Sequence, residues 1–505
     1  MKRLFVCLLS LLMAFSVLSL AACGGKGQNN DATGDADSAA TGGRNGSEQG
    51  TEEEITFPEK TYGYSDFRVL CTDQCVDYYD PDENEEDIVS RAAFRSNNLA
   101  EEKYQVEIVY KPMEGRSAGR DAFAAEVRTS SLDSGSTYDI VIGQTYYTMA
   151  LALEGLYFNM ASSPYIQLER PWYDKDLVND NIMINNKLYA ASGGYVVSQI
   201  STMMGIYYNK DFYRNYQLAS VINGTDIYDT VRKGDWTYEI FYEMTTSVYE
   251  DADNDGKVSK GDIYGLIGNT HAPMCAMIGS DVPFTEKNEW GEVSTDHYYN
   301  QHLLDVFETY FNFYNKEESV YYIASDEDLI EAFCNAQALF CCHAVEYMAK
   351  TVVRDANVDY GVLPHPKFNS EQDSYYTNNI RWEVANIPKS CDTERAAILF
   401  DYLNYTYYKE FVPQFFDLAL STQAAPTPED SEMMYLIRDC VRFDFATFYQ
   451  SQIGLSYSDN IYIGVKSLIR SGNPGIANWW ETNSELYQKS IQNLMDLYFY
   501  YLDED

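Results

Sequence analysis

An α/β fold is predicted by three observations. Short apolar runs at 67–71 (FRVLC), 106–110 (VEIVY) and 138–143 (YDIVIG) read as strands. Helical patterns lie between them, at 87–104, with Ile88, Ala92, Phe94, Leu99 and Tyr104 on a rough stripe, and at 121–128. The chain has 505 residues, a length that suits roughly two to four domains or one large two-lobed unit. Strands alternating with helices give a largely parallel sheet, and such sheets bind ligands beyond the carboxyl ends of their strands. Gln144, Thr145, Tyr146 and Tyr147 follow the third strand. Two readings stand for the tyrosines: they face a ligand, or they pack under a following helix over 148–156.

The rest of the chain continues the pattern. The segment 206–209 (IYYN) reads as a strand. Trp236 opens a helix over 236–250, with Asp235 or Thr237 as its cap. A helix over 331–339 runs into the apolar strand 339–342 (LFCC). Helices follow at 348–354, 394–407, 433–444 and 485–502, and Pro364-His365-Pro366 makes a rigid exit from 360–363.

Composition narrows the function. Hydrophobic residues are 45% of the chain, enough for a substantial core. Acidic residues outnumber basic ones 77 to 36, for a net charge of −41. That field repels phosphate backbones and anionic lipid, which argues against nucleic-acid binding and against a polybasic membrane contact. Tyrosine, at 45 copies, packs by its face and hydrogen-bonds at its tip, and so suits half-wet clefts as well as cores.

The amino-terminal segment reads as an address. Lys2 and Arg3 precede an apolar run over 4–20, then Leu20-Ala21-Ala22 lead into Cys23. The sequence Leu-Ala-Ala-Cys resembles a bacterial lipobox, which implies removal of residues 1–22 and lipidation of the Cys23 sulfur. Residues 24 to about 61 are mostly small and polar, as in a tether that cannot bury enough surface to fold. No later segment has the roughly 18 uninterrupted apolar residues of a membrane span.

Two further motifs carry chemistry. Asp251-Ala-Asp253-Asn-Asp255-Gly256-Lys257-Val258-Ser259-Lys-Gly-Asp262 follows the calcium-loop pattern, with oxygen ligands at positions one, three, five and twelve, the Lys257 carbonyl at seven and glycine at six. It resembles dockerin-type and binding-protein loops, and structural calcium is set against an empty acidic turn. Gly115-Arg-Ser117-Ala-Gly119 matches a hydrolase elbow, but Pro112 and intervening residues separate it from the strand, and Ser117 as a helix cap is the blander reading. Eight cysteines remain after Cys7 and Cys23, and the CxxxC of Cys71 and Cys75 admits a bridge or two free thiols.

Several segments fall in the order found in extracellular solute-binding proteins of ABC importers, the class that includes maltose-binding protein. They are YDIVIG (138–143), ALEGLYFNM (152–160), NNKLYAAS (185–192), GIYYNKDFY (205–213), GDWTYEIFYEMT (234–245), EAFCNAQALF (331–340), DYGVLPHPK (359–367) and DTERAAILFDYLN (392–404). The resemblance covers about 62–505, with an insert-like stretch near 268–325. It implies a type II periplasmic-binding-protein-like fold: two α/β lobes, each a mixed sheet flanked by helices, joined by hinge crossovers. Lobe one would be 62–164 plus 376–425, and lobe two 165–375 plus 426–505.

That resemblance also implies the site. Gln144, Tyr146, Tyr147 and Tyr208 take the places of ligand contacts, and Trp236 is counted with them. After the LFCC strand the family places a tryptophan where this chain has Cys342-His343-Ala344-Val345-Glu346, so His343 and Glu346 become the local polar candidates. Arg381, Trp382 and Glu383 sit where the second crossover begins. An aromatic face suits the C–H face of a sugar, while Arg and Glu bond hydroxyls; Trp382 as a packing residue remains the alternative. The implied function is a monomeric, lipid-anchored extracellular binding component that delivers an oligosaccharide to a permease without catalysis. The alternatives are a surface glycosidase or esterase, and a sensor or adhesin that feeds no transporter. The negative charge would also suit a cationic peptide or polyamine.

Overall fold

The computed structural model describes residues 55–81, 87–116, 118–132, 137–174, 182–252, 254–356, 358–381, 383–420, 427–456 and 459–502. Residues 56–505 form one compact unit. The lipobox, Cys23, Ser117, Asp253 and Trp382 lie outside the described residues. No helix among those described is long and apolar enough to cross a membrane.

The strands, in chain order, are β1 (Ser65–Thr72), β2 (Val106–Met113), β3 (Ile140–Gln144), β4 (Met204–Asn209), β5 (Tyr264–Gly268), β6 (Glu286–Lys287), β7 (Val293–Ser294), β8 (Val320–Tyr322), β9 (Ala338–Ala344), β10 (Tyr360–Leu363) and β11 (Glu383–Asn386), followed by a short pair, β12 (Gly454–Ser456) and β13 (Asp459–Asn460). They build two main sheets, of order β11-β3-β1-β2 and β10-β4-β9-β5-β8, with β6 and β7 as a separate hairpin. Each main sheet is mixed. In the first, β1 pairs in parallel with β2 and β3, and β11 runs antiparallel to β3 with Glu383 opposite Gln144. In the second, β5 runs parallel to β8 and β9, while β4 is antiparallel to both β9 and β10. The largely parallel sheet expected from strand–helix alternation is therefore corrected at β4 and β11. Both strands enter from a crossover and meet their neighbours head-on.

Helices cover the sheets. Asp87 caps the helix Ile88–Tyr104, its Oδ1 accepting from the Val89 and Ser90 amides at 2.9 and 3.1 Å. The buried face of that helix is Val89, Ala92, Ala93, Ser96, Asn97, Ala100 and Tyr104, with Ile88 exposed. The stripe is thus turned from the expected one, because small residues let the helix lie close against its neighbours. The expected helix over 331–339 is Asp326–Cys334, capped by Ser325 and ended by Ala336 at φ +54°. The one over 433–444 is Pro428–Asp439, with a Thr427–Asp430 capping box.

The described parts of 165–192, which the resemblance puts in lobe two, reach the first sheet and its helices at Gln167, Trp172 and Ala191. Buried Asp401 accepts from the Gln167 amide at 3.0 Å and from Trp172 Nε1 at 3.2 Å, and Ala191 bridges Ala385. The chain crosses later. Gly193 and Gly194 lead to the helix Val197–Ser201 and into β4. The return segment 377–381 runs antiparallel beside it: Met203 bridges Asn379, the Met204 amide donates to the Asn378 carbonyl at 2.9 Å, and the Ile380 amide to Thr202 at 3.2 Å. Two neighbouring crossovers form the joint between the lobes.

Candidate functional site

The register brings both sheets' functional ends to this joint. Met204 pairs with Ala344, so the carboxyl ends of β5, β8 and β9 lie beside the crossovers. The carboxyl ends of β1 and β3 carry Thr72, Gln74 and Gln144. Arg381 leaves the return crossover between them.

Arg381 touches both lobes. Its two terminal nitrogens donate to the Glu346 carboxylate at 3.1 Å each, and Nη1 lies 3.7 Å from Cys75 Sγ. The side chains of Arg381 and Glu346 are 16% and 14% exposed, so the pair is largely shielded from water. Burial works against the Arg381 charge, but Glu346, Cys75 and Glu383 overcome it and raise its pKa further. Glu383 is fully buried, its Oε1 accepting from Thr72 Oγ1 at 2.6 Å. Desolvation raises the Glu383 pKa, with Arg381 and the Thr72 hydroxyl pulling the other way. Gln144 Nε2 donates to Gln74 Oε1 at 2.8 Å.

On the second lobe, the Ala344 amide donates to His343 Nδ1 at 2.7 Å, which places the ring proton on Nε2. That nitrogen lies 3.3 Å from Asp326 Oδ1. Asp326 also accepts from Asn269 Nδ2 and Tyr347 Oη, both at 2.8 Å. Burial pushes the Asp326 carboxyl up, but the nearby His343 imidazole and the hydrogen bonds from Asn269 and Tyr347 outweigh it and hold it well below the usual carboxylate range. The Tyr347 ring lies 4.0 Å from the imidazole.

Gln144, His343, Glu346, Arg381 and Glu383 are thus gathered where the lobes meet. Tyr146 and Tyr147 begin the helix Thr145–Leu153 beside them, but Tyr147 packs on Phe123 and on Tyr146, so the packing reading describes its ring. Two candidates lie elsewhere. Tyr208 is at the opposite end of β4, buried among Tyr213, Tyr228 and Gly361 beside Asp430, where it lines a separate cavity of 480 Å³. Trp236 is a core residue, packed on Phe241 and Phe340 with its Nε1 donating to the Pro364 carbonyl at 3.0 Å. Sequence reasoning missed Thr72, Gln74, Cys75, Asn269, Asp326 and Tyr347. No local signal marks them; only the path of the chain gathers them.

A 620 Å³ cavity lies in the second lobe, lined by Asp281, His297, His302, Arg442 and Asp444, and none of the candidate ligand residues borders it. Another, of 340 Å³, borders the first crossover and is lined by Trp172, Gly193, Gln199, Tyr408 and Arg438.

The arrangement binds more readily than it reacts. His343 has its basic lone pair occupied by a backbone amide, so it offers no base to a nucleophile. Burial and Glu383 push the Cys75 thiol far up, which leaves it neutral. What remains is a set of amide, guanidinium and carboxylate groups able to orient hydroxyls.

The chain matches solved structures at low sequence identity. The maltose/maltodextrin-binding domain MalE from Bdellovibrio bacteriovorus, bound to maltotriose, aligns over 85% of this chain and 99% of its own at 11% identity and a TM-score of 0.51. A cyclo/maltodextrin-binding protein complexed with maltotetraose aligns over 90% and 100%, at 10% identity and 0.52. UgpB from Mycobacterium tuberculosis, in complex with glycerophosphocholine, aligns over 86% and 100%, at 13% identity and 0.52. The fold is that of two-lobed, type II solute-binding proteins. No family model matches this sequence, and no curated protein matches it. Within this fold, the group around Arg381 occupies the joint between the lobes.

The described residues of the calcium-type loop, 251–252 and 254–262, make tight local turns. Asn254 and Gly256 take left-handed conformations at φ +57° and +75°, and glycine meets that demand without strain. Asp251 accepts from the Asp255 and Gly256 amides at 3.2 and 2.8 Å, and Asp255 from the Lys257 amide at 2.8 Å. Asp262 is buried and closes the loop, accepting from the Ala252 and Ser259 amides at 3.2 and 2.9 Å. Among the described residues, Asp251, Asp255 and Asp262 serve the loop's own amides and are not drawn together into one cluster of three carboxylate ligands.

Proposed function

We propose that this protein is the substrate-binding component of an ABC importer and that it captures an oligosaccharide between its lobes. The observation that carries this reading is Arg381, a single residue on the return crossover that engages Cys75 of one lobe and Glu346 of the other. A ligand entering the joint would exchange its hydroxyls for some of these contacts, and so bias the lobes between open and closed arrangements. A permease would then distinguish the closed form. Gln144, Glu346 and Arg381 would orient the ligand, with Tyr146 and Trp382 as aromatic faces. The protein acts by binding and carries out no catalysis. It works as a monomer at the outer face of the cell membrane, held there by lipid on Cys23, and the loop Asp251–Asp262 holds a structural calcium through Asp251, Asp253, Asp255, the Lys257 carbonyl and Asp262. Calcium there would tie the loop's oxygens together and take no part in ligand chemistry.

The test is a thermal-shift and calorimetric screen of the purified protein against oligosaccharides, monosaccharides, peptides and polyamines, with product analysis of each mixture. A ligand at 100 times its dissociation constant adds about 2.7 kcal/mol of stability. A rise in melting temperature with one oligosaccharide class, without product, supports the reading. Turnover of the sugar would replace it with a glycosidase, and a response to peptides or polyamines alone would replace the cargo.

A further inference from the structure

The second lobe contains a cluster of buried donors that the binding function does not use. Cys275, Cys342 and His365 are all buried, and one ligand atom from each lies within 4.8 Å of the other two. Cys342 Sγ is 3.5 Å from His365 Nε2. In a tetrahedral zinc site with bonds of about 2.3 Å to sulfur and about 2.0–2.1 Å to nitrogen, a sulfur and a nitrogen ligand are about 3.5 Å apart. The spacing is that of two ligands on one ion.

A fourth group completes the cluster. Asn378 is fully buried, and its Nδ2 lies 3.9 Å from Cys275 Sγ and 3.3 Å from Tyr462 Oη, while its Oδ1 has no hydrogen-bond partner. A buried amide oxygen without a partner is costly. Oxygen and nitrogen of an amide are interchangeable by rotation, and rotation would turn Oδ1 towards the sulfur, where it can serve as a ligand. We propose that Cys275, Cys342 and His365, with Asn378 as the fourth ligand, form a structural zinc site. Two thiolates and an imidazole are donors that zinc takes and that calcium and magnesium do not.

The four residues come from four separate parts of the chain. Cys275 lies on the helix Ala272–Gly279, Cys342 on β9, His365 just past β10, and Asn378 on the return crossover. The helix and His365 are already close: a Cβ on Gly279 would meet His365 Cβ at 2.9 Å. A metal here would tie the root of the crossover that carries Arg381 to the central strand of the second sheet. With every donor buried, the ion would be taken up during folding.

The experiment is metal analysis of the purified protein after dialysis against EDTA, with refolding in cobalt as an independent readout. About one zinc per chain, retained through dialysis and released on unfolding, is the expected result. Cobalt refolding should produce a thiolate-to-cobalt charge-transfer band, which the oxygen donors of the 251–262 loop cannot give. His365→Gln and Cys275→Ser should lose the metal and the band, whereas Cys341→Ala, on the neighbouring residue of the same strand, should keep both. Should a substitution prevent folding, the wild-type metal content and cobalt spectrum decide. A folded wild-type chain that holds no zinc and gives no cobalt–thiolate band, or one with a Cys275–Cys342 disulfide, overturns the proposal.

Discussion

Arg381 grips Glu346 through both terminal nitrogens, Nη1 to Oε2 and Nη2 to Oε1, each at 3.1 Å. Arg381 sits on the return crossover, and Glu346 follows β9 in the second lobe. The charge of the same guanidinium also acts on buried Glu383 in the first sheet and lowers its pKa against the rise from burial. One fork-shaped cation thus holds charge from both lobes at their joint.

Removing only one member of that pair should be costly. Arg381→Met leaves Glu346 and Glu383 shielded and uncompensated, and a loss of about 3–5 kcal/mol is expected for breaking a buried pair from one side. The double variant Arg381→Met with Glu346→Met should recover the part that comes from stranding Glu346. Urea midpoints at unchanged slope measure both.

Glu383 and Asp326 should give pH dependences of opposite sign. The native Glu383 carboxyl has a raised pKa, so between the ordinary value of about 4.3 and the raised one the folded state holds a proton that the unfolded state has released. Stability from this group falls as pH rises through that window, and Glu383→Gln should flatten the fall. Asp326 is depressed, so its contribution is complete above about pH 4, the ordinary range, and is lost as pH falls towards the lower native value. Asp326→Asn should remove that acid-side loss and lower stability near neutrality. Denaturation midpoints between about pH 3 and pH 8 separate the two.

The first crossover has no room for a side chain. A Cβ on Gly194 would lie 2.6 Å from the Tyr408 amide nitrogen and 2.7 Å from the Asn404 carbonyl oxygen, both backbone atoms of a packed helical segment. Gly194→Ala should destabilise the fold by at least the roughly 1–3 kcal/mol typical of overpacking. Calorimetric melting checks it, and the loss should appear without any ligand present.

The acidic loop should divide its roles between ends. Asp251→Asn should abolish a calcium-dependent rise in melting temperature and lower the melt in chelator only slightly, since its bonds to the Asp255 and Gly256 amides are part-exposed. Asp262→Asn should lower the melt in chelator as well, because buried Asp262 accepts from the Ala252 and Ser259 amides whether or not an ion is bound. Melts in calcium and in EDTA distinguish these outcomes.

By itself, the sequence determined the features that depend on near neighbours. Apolar runs at 67–71, 106–110 and 138–143 became β1, β2 and β3, since burial of a strand is written in consecutive residues. Asp87 before a helix and glycine at the turn of the 251–262 loop are local chemistry of the same kind. The resemblance then pointed to Gln144, His343, Glu346, Arg381 and Glu383, and the structure brings all five to the joint. Tertiary structure alone decided the rest. The antiparallel entry of β4 sends Tyr208 to the far end of its sheet, although the strand itself was legible as IYYN. The stripe on the helix Ile88–Tyr104 turned because its neighbours accept small residues, which periodicity does not encode. Thr72 meets Glu383 across 311 positions, and His365 meets Cys342 across 23. Such contacts depend on where the crossovers return the chain, and no residue's own neighbours in sequence carry that information.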